Sequence, residues 1–245
     1  PFGRQLSECR DQKTQRGGLG SAMRVVIFDL DGTLVDTAPD IIDALNRALT
    51  DSDLRMVDDA AGRSFIGGGA RELVKLGVMA SVGEGPDDGL VDTTFASFMR
   101  YYLESSTDKS VLYPGVRETL EKFTQEGLPM GVCTNKPHEI SLTVLEALDL
   151  QRYFRAVIGG DTLPERKPHA RHILETASRT LPDYKQAIMI GDSATDVAAA
   201  RNSGVPVVAV SYGYRLVPAE ELGADSVISD MRELPAELTR LWRAA

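Results

Sequence analysis

Apolar residues along the chain fall into short runs separated by amphipathic stretches. Val25–Leu30, Met130–Thr134, Ala156–Gly159, Ala187–Gly191 and Val205–Val210 are runs rich in β-branched residues and bounded by glycine or proline. Such runs predict buried strands. Val116–Glu126, Glu139–Leu148, Ala170–Ser178 and Thr195–Ser203 carry helical spacing between them. Strands alternating with helices predict an α/β fold with a mostly parallel, doubly wound, Rossmann-like sheet. Ligands in such sheets bind beyond the carboxyl ends of the strands. Asp29, Thr134 and Asp192 each close a strand, which places them on one rim.

Residues 37–112 break the alternation. Asp40–Thr50, Ala70–Met79 and Leu90–Leu103 have helical spacing and no convincing strand lies among them, while Pro39 suits an early helical position. A stretch of that length needs structure of its own. It predicts a small helical cap inserted into a core made of residues 23–36 and 113–245, interrupted near its middle by Gly83-Glu84-Gly85-Pro86. Residues 1–22 are polar and glycine-rich toward their end, lack a secretory apolar core, and read as an extension outside the fold, native or added for expression.

Composition narrows the function classes. Of 245 residues, 36 are acidic and 27 are lysine or arginine, for a net charge of −9. That balance argues against generic nucleic-acid binding, which needs basic patches. It also means that an anionic ligand requires a local positive site. No run of apolar residues approaches membrane-spanning length. Cys9 and Cys133 imply no disulfide framework, so a reducing cytoplasm is expected, with Cys133 a small buried hydrophobe. A monomer or a homodimer is equally compatible with these features.

Asp29-Leu30-Asp31-Gly32-Thr33 follows the first strand directly. Carboxylates crowded at the mouth of a core repel one another unless a cation or a reaction requires them. Two residues apart in extended chain, the side chains start on one face, and Gly32 permits a sharp turn. One carboxylate can then attack while the other moves a proton; an N-cap or Asx-turn cluster is the competing structural reading. Gly191-Asp192-Ser193-Ala194-Thr195-Asp196 offers two further acids four apart, suited with Asp29 to a hard cation such as Mg²⁺, or else to capping the next helix. Thr134-Asn135 provides donors at a strand end, where an anion can be held or a simple turn made. Lys136 and Lys167 are the nearby cations, each a solvated surface lysine by default, and His138, His169 and His172 read as surface or structural residues.

These segments, in this order, resemble the haloacid dehalogenase superfamily. Its pattern Asp-x-Asp-x-Thr is matched by Asp29, Asp31 and Thr33, its later Thr or Ser by Thr134, its lysine by Lys167, and its Gly-Asp-x-x-x-Asp by Gly191, Asp192 and Asp196. Finer features, among them Cys133-Thr134-Asn135-Lys136-Pro137 and Arg166-Lys167-Pro168-His169, are similar to the superfamily's phosphoglycolate phosphatases. The resemblance implies a type-one cap and hydrolysis of a small phosphate ester, 2-phosphoglycolate in particular. It implies Asp29 as nucleophile and Asp31 as general acid and base. Thr134, Asn135 and Lys167 would bind the phosphoryl group. Mg²⁺ would be held by Asp29, the backbone carbonyl of Asp31 and Asp192, with Asp196 in support. Gly67, Gly68, Gly69 and Arg71 would form a cap loop facing the site. The acid at Asp31 separates this chain from the dehalogenases, and Lys75, the one lysine between Asp31 and Lys109, fits a phosphonatase poorly. A phosphatase for another ester, a pyrophosphatase, a sugar-phosphate mutase and a non-catalytic metal- or phosphate-binding protein remain the alternative readings.

Overall fold

A computed structural model describes residues 23–83, 85–214 and 217–244; the N-terminal extension and Cys9 lie outside the described residues. Six parallel strands form one sheet: β1 (Arg24–Phe28), β4 (Met130–Cys133), β5 (Ala156–Ile158), β6 (Gln186–Gly191), β7 (Val207–Val210) and β8 (Ser226–Ile228). Their spatial order is β5-β4-β1-β6-β7-β8. The chain thus leaves the central β1 toward β4 on one side and returns to β6 on the other, in parallel register at both edges. A crevice opens at such a switch point, beyond the carboxyl ends of β1, β4 and β6.

The period-two alternation of the strands divides the core. Val26, Phe28, Met130, Val132, Ile188 and Ile190 face one layer, with Leu120 and Phe123 of α5 (Val116–Gln125), Val144 of α6 (His138–Ala147) and Leu238 of α9 (Leu234–Ala244). Val25, Ile27, Ala187 and Met189 face the other, against Ile173 and Ala177 of α7 (Ala170–Thr180) and Ala200 of α8 (Ala194–Ser203). Helices on both faces explain why the strands read as continuous apolar runs.

Between β1 and β4 the chain forms β2 (Val35–Asp36), α1 (Ala38–Asp51), α2 (Asp59–Ser64), α3 (Ala70–Val82), α4 (Asp88–Glu104) and β3 (Val111–Leu112). β2 and β3 pair antiparallel, Val35 opposite Leu112, so the insert enters and leaves through one two-stranded stalk. Leu45 and Leu49 of α1, Val74 and Val78 of α3, and Phe98 of α4 belong to the same apolar cluster as the near face of the sheet. The insert is therefore seated on the core above the strand ends. Among the described residues no helix is long and apolar enough to cross a membrane.

The predicted strands and helices are present with ends shifted by a few residues. The pattern missed the two-residue strands β2 and β3, the latter inside the stretch expected to hold no strand, together with α2, the three-residue β8, and α9, whose first turn holds Pro235.

Candidate active site

Every carboxylate singled out from the sequence converges on the crevice. Asp29 follows β1, its own N–H bonded to the Ile190 carbonyl at 2.9 Å. Asp192 follows β6, and Asp196 lies in the first turn of α8. One oxygen from each of these three side chains lies within 4.8 Å of the other two, and all three residues are buried. Lys167 reaches between them, its Nζ 2.9 Å from Asp29 and 2.6 Å from Asp196. The Asp192 carboxylate accepts the Tyr214 N–H at 2.6 Å and the Thr33 hydroxyl at 3.4 Å. Two glycines make room for it. A Cβ at either Gly32, which also has φ +80°, or Gly213 would come within 2.3 Å of an Asp192 side-chain atom.

The capping alternative holds for Ser193 and Asp196. Ser193 is the N-cap of α8, and Asp196 completes a reciprocal capping box with it. Asp196 is thereby fully engaged, with Oδ1 taken by Lys167 and Oδ2 by Ser193.

Electrostatics sets this cluster apart. Burial pushes the Asp29 carboxyl up to about 7, against the pull of the Lys167 ammonium. Burial, reinforced by the charges of Asp196 and Asp29, drives Asp192 well above the usual carboxylate range. Lys167 stays charged because the attraction of Asp196 and Asp29 outweighs its desolvation. Without a further cation the clustered carboxylates are under-compensated. The donor set is all oxygen, as a hard divalent cation requires. Asp29, Asp192 and Asp196 together could hold such an ion.

Asp31 is held separately. Its Oδ1 accepts the Thr37 hydroxyl at 2.6 Å and the Lys136 ammonium at 2.9 Å. Lys136 also hydrogen-bonds the Tyr102 hydroxyl of α4. Lys136 and Lys167 both have side chains only 2% exposed, which corrects the expectation of solvated surface lysines. The physical reason is the acids: each buried ammonium is matched to carboxylates that the linear chain does not show beside it.

The remaining candidates divide. Thr134 is buried, and its Oγ1 accepts the Lys136 N–H at 3.2 Å, which leaves the hydroxyl hydrogen for another acceptor. Asn135 spends its side-chain N–H groups on the carbonyls of Gly67 and Lys167, both at 3.0 Å, and so ties the insert loop to the core. Its side chain is therefore a tether rather than an anion donor. Gly67 and Gly69 line the cleft. The space where a Gly68 Cβ would sit faces Glu72 instead. Arg71 is exposed, paired with Asp92, and not among the residues that line the cleft. His172 is buried, accepting the Lys167 N–H and contacting the Gly159 carbonyl, and burial lowers its pKa to about 4. His169 caps α7, and Cys133 is a buried thiol pushed up to about 12 by desolvation.

Three contributors escaped the sequence reading: Tyr102, Tyr214 and Gly213. The two tyrosines look like ordinary apolar positions in one dimension. The Ser193-x-x-Asp196 box was legible as a pattern. The cleft encloses about 590 Å³, part of it open to solvent, between the strand ends and apolar side chains of the insert such as Ile41, Leu73 and Phe98.

Comparison with known proteins agrees with this architecture. Residues 26–210 match the model of the haloacid dehalogenase-like hydrolases. A phosphoglycolate phosphatase of Mesorhizobium japonicum is 41% identical over 222 residues, covering 90% of this chain and 97% of the relative. One of Agrobacterium fabrum is 41% identical over 214 residues, covering 87% and 91%. A crystal structure described as a predicted phosphoglycolate phosphatase from Haemophilus somnus 129pt superposes with a TM-score of 0.83 at 31% identity, covering 90% of this chain and all of that one. With the ordered acids, the buried lysines and the stalked helical insert in place, this chain belongs to the haloacid dehalogenase-like hydrolase family.

Proposed function

We propose that this hydrolase is a magnesium-dependent phosphomonoesterase that cleaves a small phosphorylated acid, 2-phosphoglycolate, to glycolate and phosphate. The observation that carries the reading is the different company kept by the two acids after β1. Asp29 sits with Lys167 in the carboxylate cluster, while Asp31 is held apart by Lys136 and Thr37. Neighbouring carboxylates in different environments divide into nucleophile and proton carrier.

In the first step an Asp29 oxygen attacks phosphorus and the ester P–O bond breaks. Asp31 gives its proton to the departing alkoxide. In the second step Asp31 takes a proton from water as that water attacks the aspartyl-phosphate, and the bond between phosphorus and Asp29 breaks to release phosphate. Lys167 and the Thr134 hydroxyl face the phosphoryl oxygens and stabilise the charge that develops there. Asp29, the backbone carbonyl of Asp31 and Asp192 would hold Mg²⁺, which supplies charge neutralisation and in-line orientation when bound. The helical insert acts as a cap that excludes water from the reacting centre, and residues 37–112 form that unit. The relatives named phosphoglycolate phosphatase support the choice of substrate.

The test is release of phosphate from a panel of small esters with and without Mg²⁺, with Asp29→Asn as the control. Expected are strict dependence on the cation, the highest kcat/KM for 2-phosphoglycolate, and loss of activity in Asp29→Asn. A different ester turned over with much higher kcat/KM refutes the substrate. Full activity in Asp29→Asn refutes the nucleophile.

A further inference from the structure

The cleft wall beside Asp31 contains a cation whose donors are not exhausted by holding that acid. Lys136 is the one cationic residue among those described that line the cleft. Its side chain is 2% exposed. An ammonium has three hydrogens to donate. One goes to Asp31 at 2.9 Å and a second to the Tyr102 hydroxyl. The ammonium also lies 4.6 Å from the centre of the Tyr102 ring. Among the described residues the third hydrogen has no acceptor. Nor has the hydrogen of the Tyr102 hydroxyl, since that oxygen accepts from Lys136. Tyr102 is fully buried, 2% exposed. Two unspent donors side by side in a buried wall, one of them charged, are matched by the two oxygens of a carboxylate.

We propose that Lys136 and Tyr102 read the carboxylate of the substrate, and that this pair makes the enzyme selective for short phosphorylated acids over neutral esters of the same shape. The proposal rests on the phosphatase reading above and deepens it. Position supports it. Lys136 lies 2.9 Å from Asp31, the group assigned to protonate the leaving oxygen. A carboxylate one carbon from that oxygen would lie beside the ammonium. The neighbouring Ile41, Leu73 and Phe98 offer a neutral ester no compensating polar contact. Tyr102 stands on α4 and Lys136 on the loop after β4, so a bound carboxylate would be gripped from the insert and the core together.

The experiment compares 2-phosphoglycolate with 2-hydroxyethyl phosphate, which differs only in carrying CH₂OH in place of the carboxylate. The readout is the ratio of kcat/KM for the two esters in wild type, Lys136→Met and Tyr102→Phe. Wild type is expected to favour the acid. Lys136→Met should lower the ratio about 10- to 100-fold, the size of a lost charged hydrogen bond. Tyr102→Phe should lower it less, chiefly through KM. An equal loss on both esters in Lys136→Met would mean that Lys136 serves only Asp31, and overturns the assignment while leaving the phosphatase reading intact. A wild type that prefers the neutral ester refutes the substrate reading and this proposal together. Should Lys136→Met not fold, Tyr102→Phe decides, because it keeps the ion pair: a lowered ratio upholds the assignment and an unchanged one overturns it.

Discussion

Replacing Lys167 with methionine tests whether the buried charge cluster is balanced as described. The ammonium lies 2.9 Å from Asp29 and 2.6 Å from Asp196. At an effective dielectric near 20, each contact is worth roughly 6 kcal/mol of Coulomb attraction before desolvation is subtracted. Desolvation of the ammonium and both acids removes much of that gain. What remains on deleting one partner is the cost of uncompensated buried carboxylates, about 3–5 kcal/mol. In a domain of this size that loss lowers Tm by roughly 6–20 °C. The loss should be greatest in cation-free protein at pH 8. Asp29 titrates near 7 in the native protein because burial disfavours its charge. The lysine charge lowers that value in wild type, so its removal raises the proton affinity of Asp29 further. The variant must take up a proton or bury a bare charge, either of which costs more at pH 8 than at pH 5.5. The assay is urea and thermal unfolding of wild type and Lys167→Met with EDTA at pH 5.5 and 8. A variant as stable as wild type at pH 8, or one whose loss is greater at pH 5.5, would falsify the electrostatic account.

Further outcomes follow from the same geometry. Protons and a divalent cation compete for Asp29 and Asp192, whose affinity for protons burial raises, so Mg²⁺ should raise Tm more at pH 8 than at pH 5.5; scanning calorimetry across pH checks this, and a larger effect at pH 5.5 contradicts it. Gly32→Ala should cost at least about 1 kcal/mol from its φ of +80° alone and also weaken Mg²⁺ binding, because its Cβ meets the Asp192 carboxylate at 2.3 Å; unchanged Mg²⁺ affinity by titration calorimetry contradicts the second half. His172 has its pKa lowered to about 4, so its contribution to stability is present above about 6.5, its usual value, and is lost as pH falls from there toward 4. A histidine resonance titrating at or above 6.5 in NMR, assigned through loss of the signal in His172→Gln, would contradict that burial.

How far the fold was legible differs from element to element. β1, β4, β6 and β7 are buried on both faces, so each appeared as an uninterrupted apolar run. Alternation with helices then demanded a parallel sheet. β8 did not announce itself, because Ser226–Ile228 is too short to show any period. α2 spans only Asp59–Ser64, under two turns. Asp29, Asp31, Asp192 and Asp196 stood out because clustered acids at strand ends conflict with burial, and that conflict is visible in one dimension. Asn135 and Arg71 show the opposite. Asn135 was expected to bind the phosphoryl group and Arg71 to belong to a loop facing the site, but a donor's use depends on what lies within about 3 Å of it, and here that is Gly67 and Lys167 in one case and Asp92 in the other.

By itself the sequence determined the class of fold, the position of the insert and the identity of the acids, since periodicity and local propensity act over a few residues. Only tertiary structure decided which lysine serves which acid. Lys167 pairs with Asp29 across 138 positions of chain, and Lys136 with Asp31 across 105. Such pairings are created by the crossing of β1 between β4 and β6 and by the seating of α4 over the strand ends. Tyr102 joins the site for the same reason: its hydroxyl acquires a partner only when the insert is closed on the core.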